Sequence, residues 1–372
     1  NRIWDALASE HVKAWVDALV NEDAVLDSLE VFLHDVPRSM LKVLGITPQF
    51  IVPSRYVPTA KTLPTGEFDR AKIRTIIQGH KYAMQKDVHF KNTFAATPSL
   101  DASRMARAEG VGRALVRLTW DISSAFQQAP HVGFGKDKGN LLAVKYPKGF
   151  ERWCEKSGEE LLAILLMNLN GKPDGGRQFV IFRDRWINLT FNKDGYKCSK
   201  GKRGPCTFTI VCTKGFMTWI VIHSDDCDAL SEDMESVKQI ADKFNKRFGI
   251  KYTNPEHMLG TVRKRYMQNG VLFEHIPQEG FFIDAWEDYK HLYKKDAVPP
   301  QTPFPKGMQL YIGCEDASDE EIKEVKSKGY LEIVGVHMWG CRNTKPISSF
   351  GVNQCTKLMA FPGPLAMKCA LH

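Results

Sequence analysis

The segment from Cys206 to Leu230 constrains this chain more than any other. Two apolar, β-branched runs, 206–212 and 216–223, are separated by Lys214-Gly215. The second runs into Ser224-Asp225-Asp226 before apolar residues resume at 227–230. Runs of this length bounded by Gly, Ser and Asp predict strands joined by tight turns. The two adjacent carboxylates then sit at a hairpin tip, at the end of a buried strand. Holding two anions there costs desolvation and repulsion, which a divalent cation would offset. An Asp-Asp dipeptide is expected about once by chance in a chain this long, so its weight comes from its place. A polar turn beside an unrelated surface acid is the alternative.

A third acid has the same setting. Residues 114–121 are strand-like and close on Asp121, and Ser123-Ser124-Ala125-Phe126 suits a helix start. Strands laid side by side would bring Asp121 to the hairpin tip. Three carboxylates around one point form a hard-oxygen site suited to Mg²⁺. Two such ions can stabilise both the attacking and the leaving oxygen of a phosphoryl displacement.

Elsewhere, spacing predicts helix over 1–35 and loop over the Pro-, Thr- and Ser-rich 46–68. It predicts strands at 69–79 and 141–146, the latter stopped by Pro147. Residues 159–168 fit a strand or a short helix equally. Ser231 is a candidate N-cap for a helix whose Met234, Val237, Ile240, Ala241, Phe244 and Phe248 share a face, ended by Gly249. Ser318 and Glu321 spell a capping box for a helix reaching Gly329. The Pro-rich stretch 296–307 is the candidate subdomain boundary.

With 43% hydrophobic and 25% charged residues over 372 positions, the chain is globular and long enough for two or three subdomains. A formal charge of +8 permits a nucleic-acid partner without demanding one. The cations cluster at 193–203, at 243–251 and at Arg263-Lys264-Arg265, and acids gather at 315–324. Each run taken alone is equally a solvated face. The longest apolar run, 161–167, is far short of the roughly 20 residues that span a bilayer, so no membrane partner is expected. The nine cysteines contain no C-x-x-C pair, and Cys198, Cys206 and Cys212 lack zinc-ligand spacing. Reduced thiols in an intracellular protein are expected.

The order of the pieces is more specific than any one of them. Lys72-x-Arg74 comes first, then Asp121-Ile122-Ser123-Ser124-Ala125-Phe126, Tyr146-Pro147-x-Gly149-Phe150, Asn170-Gly171, Asp225-Asp226, Phe248-Gly249 and Leu259-Gly260. This resembles the reverse transcriptase of copia-type LTR retrotransposons. Trp4, Ala6 and Glu10, residues 71–79, Ala95-Ala96-Thr97-Pro98, and Gly335, Met338, Thr344 and Pro346 extend the resemblance over nearly the whole chain. It implies an α+β right hand, with fingers, an antiparallel palm sheet backed by helices, and a partial helical thumb. A leading segment would span 1–68, fingers and palm 69–295, the linker 296–307, and the thumb or start of a connection 308–372. Asp121, Asp225 and Asp226 would be the catalytic acids. Asp121, Asp225 and the Ile122 carbonyl would hold two Mg²⁺ ions, or Mn²⁺ in their place. Lys72 and Arg74 would clasp the incoming triphosphate, and Ala125, Phe126, Asn170 and Gly171 would line the nucleotide site. Phe126 would act as a gate against a 2′-hydroxyl; a plain core phenylalanine is its alternative. Leu259 and Gly260 would form the primer grip, and Lys264, Lys251, Lys202 and Arg203 would meet duplex phosphates.

The sequence departs from that pattern at His223-Ser224, where the family has an aromatic and a small apolar residue. It departs again at Lys172-Pro173-Asp174-Gly175-Gly176 and at Lys345 and Ile347. The resemblance implies an RNA- or DNA-templated DNA polymerase using a primer and deoxynucleoside triphosphates. Such a protein works in the cytoplasm or nucleus, as a homo-oligomer or part of a larger polyprotein complex. A degenerate or domesticated copy that only binds nucleic acid or serves as a structural subunit is the second reading, and a metal-dependent nuclease the third. A start without Met and an end at His372 fit one segment of a polyprotein.

Overall fold

The computed structural model describes residues 2–63, 67–80, 82–131, 141–202, 204–258, 261–293 and 300–372. The chain is α+β and divides into two compact units, Asn1–Pro255 and Glu256–His372. The first unit runs α1 (Arg2–Leu7), α2 (Val12–Ser28), β1 (Phe32–Pro37), α3 (Met40–Val43), β2 (Ile51–Thr62), β3 (Phe68–Ile77), α4 (Leu100–Gly112), β4 (Val116–Ile122), β5 (Ala143–Lys145), β6 (Arg152–Trp153), β7 (Glu160–Leu165), α5 (Gly175–Lys193), β8 (Lys197–Lys200), β9 (Thr207–Val211), β10 (Met217–His223), β11 (Asp226–Ser231), α6 (Met234–Phe248) and β12 (Ile250–Tyr252). Two sheets result. One is ordered β1-β7-β5-β2-β3, with β6 also paired to β7, and the other β12-β4-β11-β10-β9-β8.

The second sheet is antiparallel throughout. Its alternating Trp120, Ile122, Ile220, Ile222, Cys227 and Ala229 pack with Phe179, Ile187 and Phe191 of α5 and with Ile240, Phe244 and Phe248 of α6. Each Ile or Phe side chain among them, fully buried, contributes about 1.5–3 kcal/mol. Helix α6 is capped by Asp233, whose carboxylate accepts the Ser236 N–H, and not by the expected Ser231. Ser231 ends β11, and its hydroxyl accepts a hydrogen bond from Thr218 across the hairpin at 2.9 Å. Gly249 ends the helix with φ +62°, as read from the sequence.

The first sheet departs further from expectation. The stretch expected to be loop, 46–68, is mostly β2, a 12-residue strand paired with β3 along nearly its whole length. Its prolines hid it. Pro58 lies beyond the short β2–β5 pairing, where that side of the strand is open and no donor is needed. The expected N-terminal helix is two helices, and β1 begins at Phe32 after Glu30 turns the chain with φ +51°. The ambiguous run at 159–168 is strand β7, flanked by β1 and β5.

The second unit holds two small hairpins, β13 (His257–Met258) with β14 (Thr261–Val262) and β15 (Lys264–Gln268) with β16 (Val271–His275). Helices α7 (Glu279–Tyr289), α8 (Asp319–Ser327), α9 (Tyr330–Asn343), α10 (Ser349–Thr356) and α11 (Pro364–Ala370) follow. Phe304, Leu310, Val325, Tyr330, Val334, Leu358 and Met367 form its core. The capping box of Ser318 and Glu321 opens α8 as expected. The division between units falls ahead of the Pro-rich stretch, whose described part supplies Phe304 to this core. Among the described residues no helix is long and apolar enough to cross a membrane.

Candidate active site

Strand register builds the acidic part of the site. His223 lies opposite Asp226, Asp226 opposite Asp121, and Asp121 opposite Lys251, so one row crosses four strands. Directly opposed residues share a face, and this one is turned away from α5 and α6. Ser224 and Asp225 form the two-residue turn between β10 and β11, and Ser224 takes the positive φ, +59°, that such turns require at their first position. The Asp225 carbonyl accepts the Ile122 N–H at 3.0 Å, which ties the tip to the end of β4.

Burial, with the charges of Asp225 and Asp226, pushes the Asp121 carboxyl up to about 6, and Asp225 is close enough to hydrogen-bond it. Asp226 is raised as well, by burial and then by Asp225, with His223 opposing. Among the described residues, no group of three or more His, Cys, Asp or Glu side chains stands in metal-holding geometry. The three acids expected to surround one ion are thus not grouped in that way; Asp121, Asp225 and Ile122 share one cavity wall, and they are the residues that would hold a divalent cation. The mutual repulsion of the two carboxylates is what such an ion would relieve. Asp226 adds charge from the neighbouring register position.

A cavity of about 440 Å³ opens beside these acids. It is lined by Asp121, Ile122, Asp225, Lys72, Arg74, Ala125, Phe126 and Asn170, together with Glu22, Ser124 and Gln127. Lys72 and Arg74 alternate on β3 with buried Ile73 and Thr75, so both cations leave the strand on one side. Partial burial, then Arg74 and Lys61, hold the Lys72 ammonium below its ordinary value, and Glu22 opposes them. The Glu22 carboxylate accepts the Thr75 N–H at 2.8 Å and is itself raised, chiefly by burial.

The turn carrying Ala125 and Phe126 is fixed from behind. Ser124 sits at φ +48°, and the buried Gln128 amide donates to the carbonyls of Phe248, at 2.6 Å, and Ser123, at 3.2 Å. The Phe126 ring meets Phe179 edge-on, 6.2 Å between centroids, while also lining the cavity. It is thus both a core residue and a wall. The Asn170 carbonyl accepts the Ile77 N–H at 2.8 Å. Gly171 does not line the cavity. At φ +83° any Cβ there would lie 2.1 Å from the Ile77 carbonyl oxygen, so the glycine is what lets this loop close on β3.

The described basic residues stand on separate elements. Lys251 stands in the row beside Asp121, and Lys202 is exposed after β8. Lys264 is exposed on β15 of the second unit, between a buried Arg263 and an Arg265 paired with Glu274. Leu259, Gly260 and Arg203 lie outside the described residues. Besides Arg265, two further cations of the predicted clusters have acidic partners, Lys200 with Asp184 and Lys243 with Asp194, both at 2.6 Å. Sequence reasoning missed Glu22, Ser124 and Gln127. It also missed Arg183 and Asp184 under the hairpin tip, although a charged residue in the apolar stripe Phe179, Ile187, Phe191 was a readable signal.

No family model matches the chain, and no curated protein matches it. Solved structures do. The foamy viral protease-reverse transcriptase in complex with double-stranded DNA matches at 12% identity and TM-score 0.39, over 93% of this chain and 44% of that one. Telomerase from Candida albicans with a telomeric RNA fragment matches at 7% identity and TM-score 0.34, over 90% and 61%. Telomerase from Candida tropicalis matches at 7% and 0.32, over 87% and 52%. The chain thus spans about half the length of these structures.

Proposed function

We propose that this chain is a template-directed DNA polymerase of the reverse-transcriptase kind, related to copia-type retrotransposon enzymes. One observation carries the reading. Two aspartates, two cations and the Phe126 turn, from positions 72 to 225, line a single cavity together with Glu22. Nucleotidyl transfer needs that combination, because the protein's contribution is mostly positioning and charge neutralisation. Lys72 and Arg74 grip the triphosphate. Asp121 and Asp225, beside the Ile122 main chain, hold Mg²⁺ or Mn²⁺, which when bound lowers the charge on the entering and leaving oxygens. The Ala125-Phe126 turn and Asn170 border the sugar and base. Lys251, Lys202 and Lys264, with Leu259, Gly260 and Arg203, serve the primer-template duplex. Fingers and palm belong to the first unit and a thumb to the second.

Primer extension with template, deoxynucleotides and Mg²⁺ tests the reading. Extension that survives Asp225→Ala would sink it. A second reading, a copy that binds nucleic acid without catalysis, draws support from the two-carboxylate donor set. Salt-sensitive duplex binding with no Mg²⁺-dependent extension in the wild type would favour it.

A further inference from the structure

We infer that Arg183 is a positioning residue that sets the direction of the Asp225 carboxylate. The catalytic consequence rests on the polymerase reading, but the structural one does not. Phe179, Arg183, Ile187 and Phe191 recur every four residues on α5, so the arginine occupies a position its neighbours give to apolar side chains. It is fully buried. Its Nη1 donates to the Ser224 carbonyl at 2.8 Å, and its Nε and Nη2 donate to Asp184 Oδ1 at 3.0 and 2.7 Å. The other Asp184 oxygen takes Lys200 Nζ at 2.6 Å.

A buried ion pair is a poor way to gain stability, since a well-packed apolar residue serves as well or better. What leucine could not do is hold a carbonyl. The Ser224 carbonyl belongs to the peptide before Asp225, and the Asp225 carbonyl to the peptide after it. The first is held by Arg183 and the second by the Ile122 N–H at 3.0 Å. Both peptide planes flanking the Asp225 Cα are therefore fixed, which fixes the line along which its Cβ leaves the chain. Only the side-chain torsions remain free. Lys200, at the outer end, holds Asp184 and so keeps the guanidinium turned toward the tip.

The test compares the full chain with Arg183→Lys, Arg183→Met and Lys200→Ala. Amide hydrogen exchange at residues 224–227 is read against the amides of β4, which serve as the internal reference. The Mg²⁺ dependence of extension is read alongside, with kcat and KM for deoxynucleotide separated. Loss of an outer partner of a metal ligand commonly costs about 10–100-fold in metal affinity or activity. Arg183→Met should therefore speed exchange at the turn about tenfold, raise the half-saturating Mg²⁺ about tenfold and lower kcat, with KM changed less than about threefold. Arg183→Lys should recover part of each. Unchanged turn exchange and an unchanged Mg²⁺ dependence, with only a lower melting temperature, overturn the inference. If Arg183→Met does not fold, Lys200→Ala at the surface must show the same shifts at a few-fold size, and their absence overturns it equally. If the wild type extends no primer, the polymerase reading falls and turn exchange alone decides the role of Arg183.

Discussion

On one wall of the cavity stand Asp121 and Asp225, at the ends of β4 and of the β10–β11 hairpin; on the other stand Lys72 and Arg74, along β3. Both are partly buried, and like charges crowd on both. Burial first, and then those neighbours, push the Asp121 carboxyl up and the Lys72 ammonium down. The walls differ in how they are held. The acids sit on short side chains whose backbone is tied by the Ile122–Asp225 and Arg183–Ser224 hydrogen bonds. The cations sit on long stems leaving an edge strand. Geometry is fixed where small displacements would be costly, and left to side-chain freedom where charge alone suffices. The acid wall should then govern rate and the basic wall affinity.

The largest effect should come from the acids. Asp225→Ala should lower kcat at least about a thousandfold, measured by single-turnover extension. Asp121→Asn should do the same to activity yet stabilise the metal-free protein. The folded-state pKa of Asp121 is raised, so its contribution to stability is full below the unfolded value near 4. That contribution is lost as pH rises through about 6. At pH 7.5 the substitution removes a charge that is penalised first by burial and then by Asp225 and Asp226. With allowance for solvent screening this is worth about 1 kcal/mol, a rise of about 1–3 °C in melting temperature. A fall would break the idea that burial and the neighbouring acids together penalise this charge. Next in size, Lys72→Ala and Arg74→Ala should each raise KM for deoxynucleotide about 10–100-fold, with kcat changed only a few-fold. Equal losses in kcat would erase the distinction between the walls.

How much of this could be read from the sequence depends on how local each contact is. The acidic tip was legible, because strand alternation and turn residues lie within 206–231 and one further strand supplies Asp121. That Lys72 and Arg74 share one side of a strand was legible from alternation along 69–79, whereas their place in the nucleotide site was only what the resemblance implied. Strand β2 was not, since Pro53 and Pro58 break the pattern by which a strand is known. Helix α5 was hidden behind Asp174-Gly175-Gly176, and Arg183 with it. Gly171 carried a nucleotide-site expectation, yet its need for glycine comes from the Ile77 carbonyl, nearly a hundred residues away in the chain. Glu22 joins the cavity only because α2 packs on β3 and its carboxylate accepts the Thr75 N–H, a contact no local pattern encodes.

Proton competition should separate the walls at intermediate size. A carboxyl with pKa near 6 must lose its proton before it can take a divalent cation, so the half-saturating Mg²⁺ should fall as pH rises from 5 to 7 and level off above. Asp226→Asn removes one charge that raises Asp121, and should move the midpoint of that curve to lower pH. Over the same range, the half-saturating Mg²⁺ of Arg74→Ala should keep the wild-type midpoint, because Arg74 is not among the charges that set the Asp121 carboxyl.

The smallest effect expected is at Glu22, and its sign matters more than its size. Glu22 is an anion in the wall of a cavity proposed to take a polyanion, and its charge is felt by both Lys72 and Arg74. If it merely repels the triphosphate, Glu22→Gln should lower KM. The amide oxygen can still accept the Thr75 N–H, so the local fold should persist. One unit charge a few ångströms away in a largely solvated site is worth about 1 kcal/mol, or up to about fivefold in KM. If Glu22 instead holds the two cations apart and aimed, the same substitution should raise KM, and Glu22→Asp should raise it too. A fall in KM would make Glu22 a counter-charge that the nucleotide displaces, and would confirm that the basic wall works by net charge. A rise would mean that this wall, like the acidic one, depends on placement.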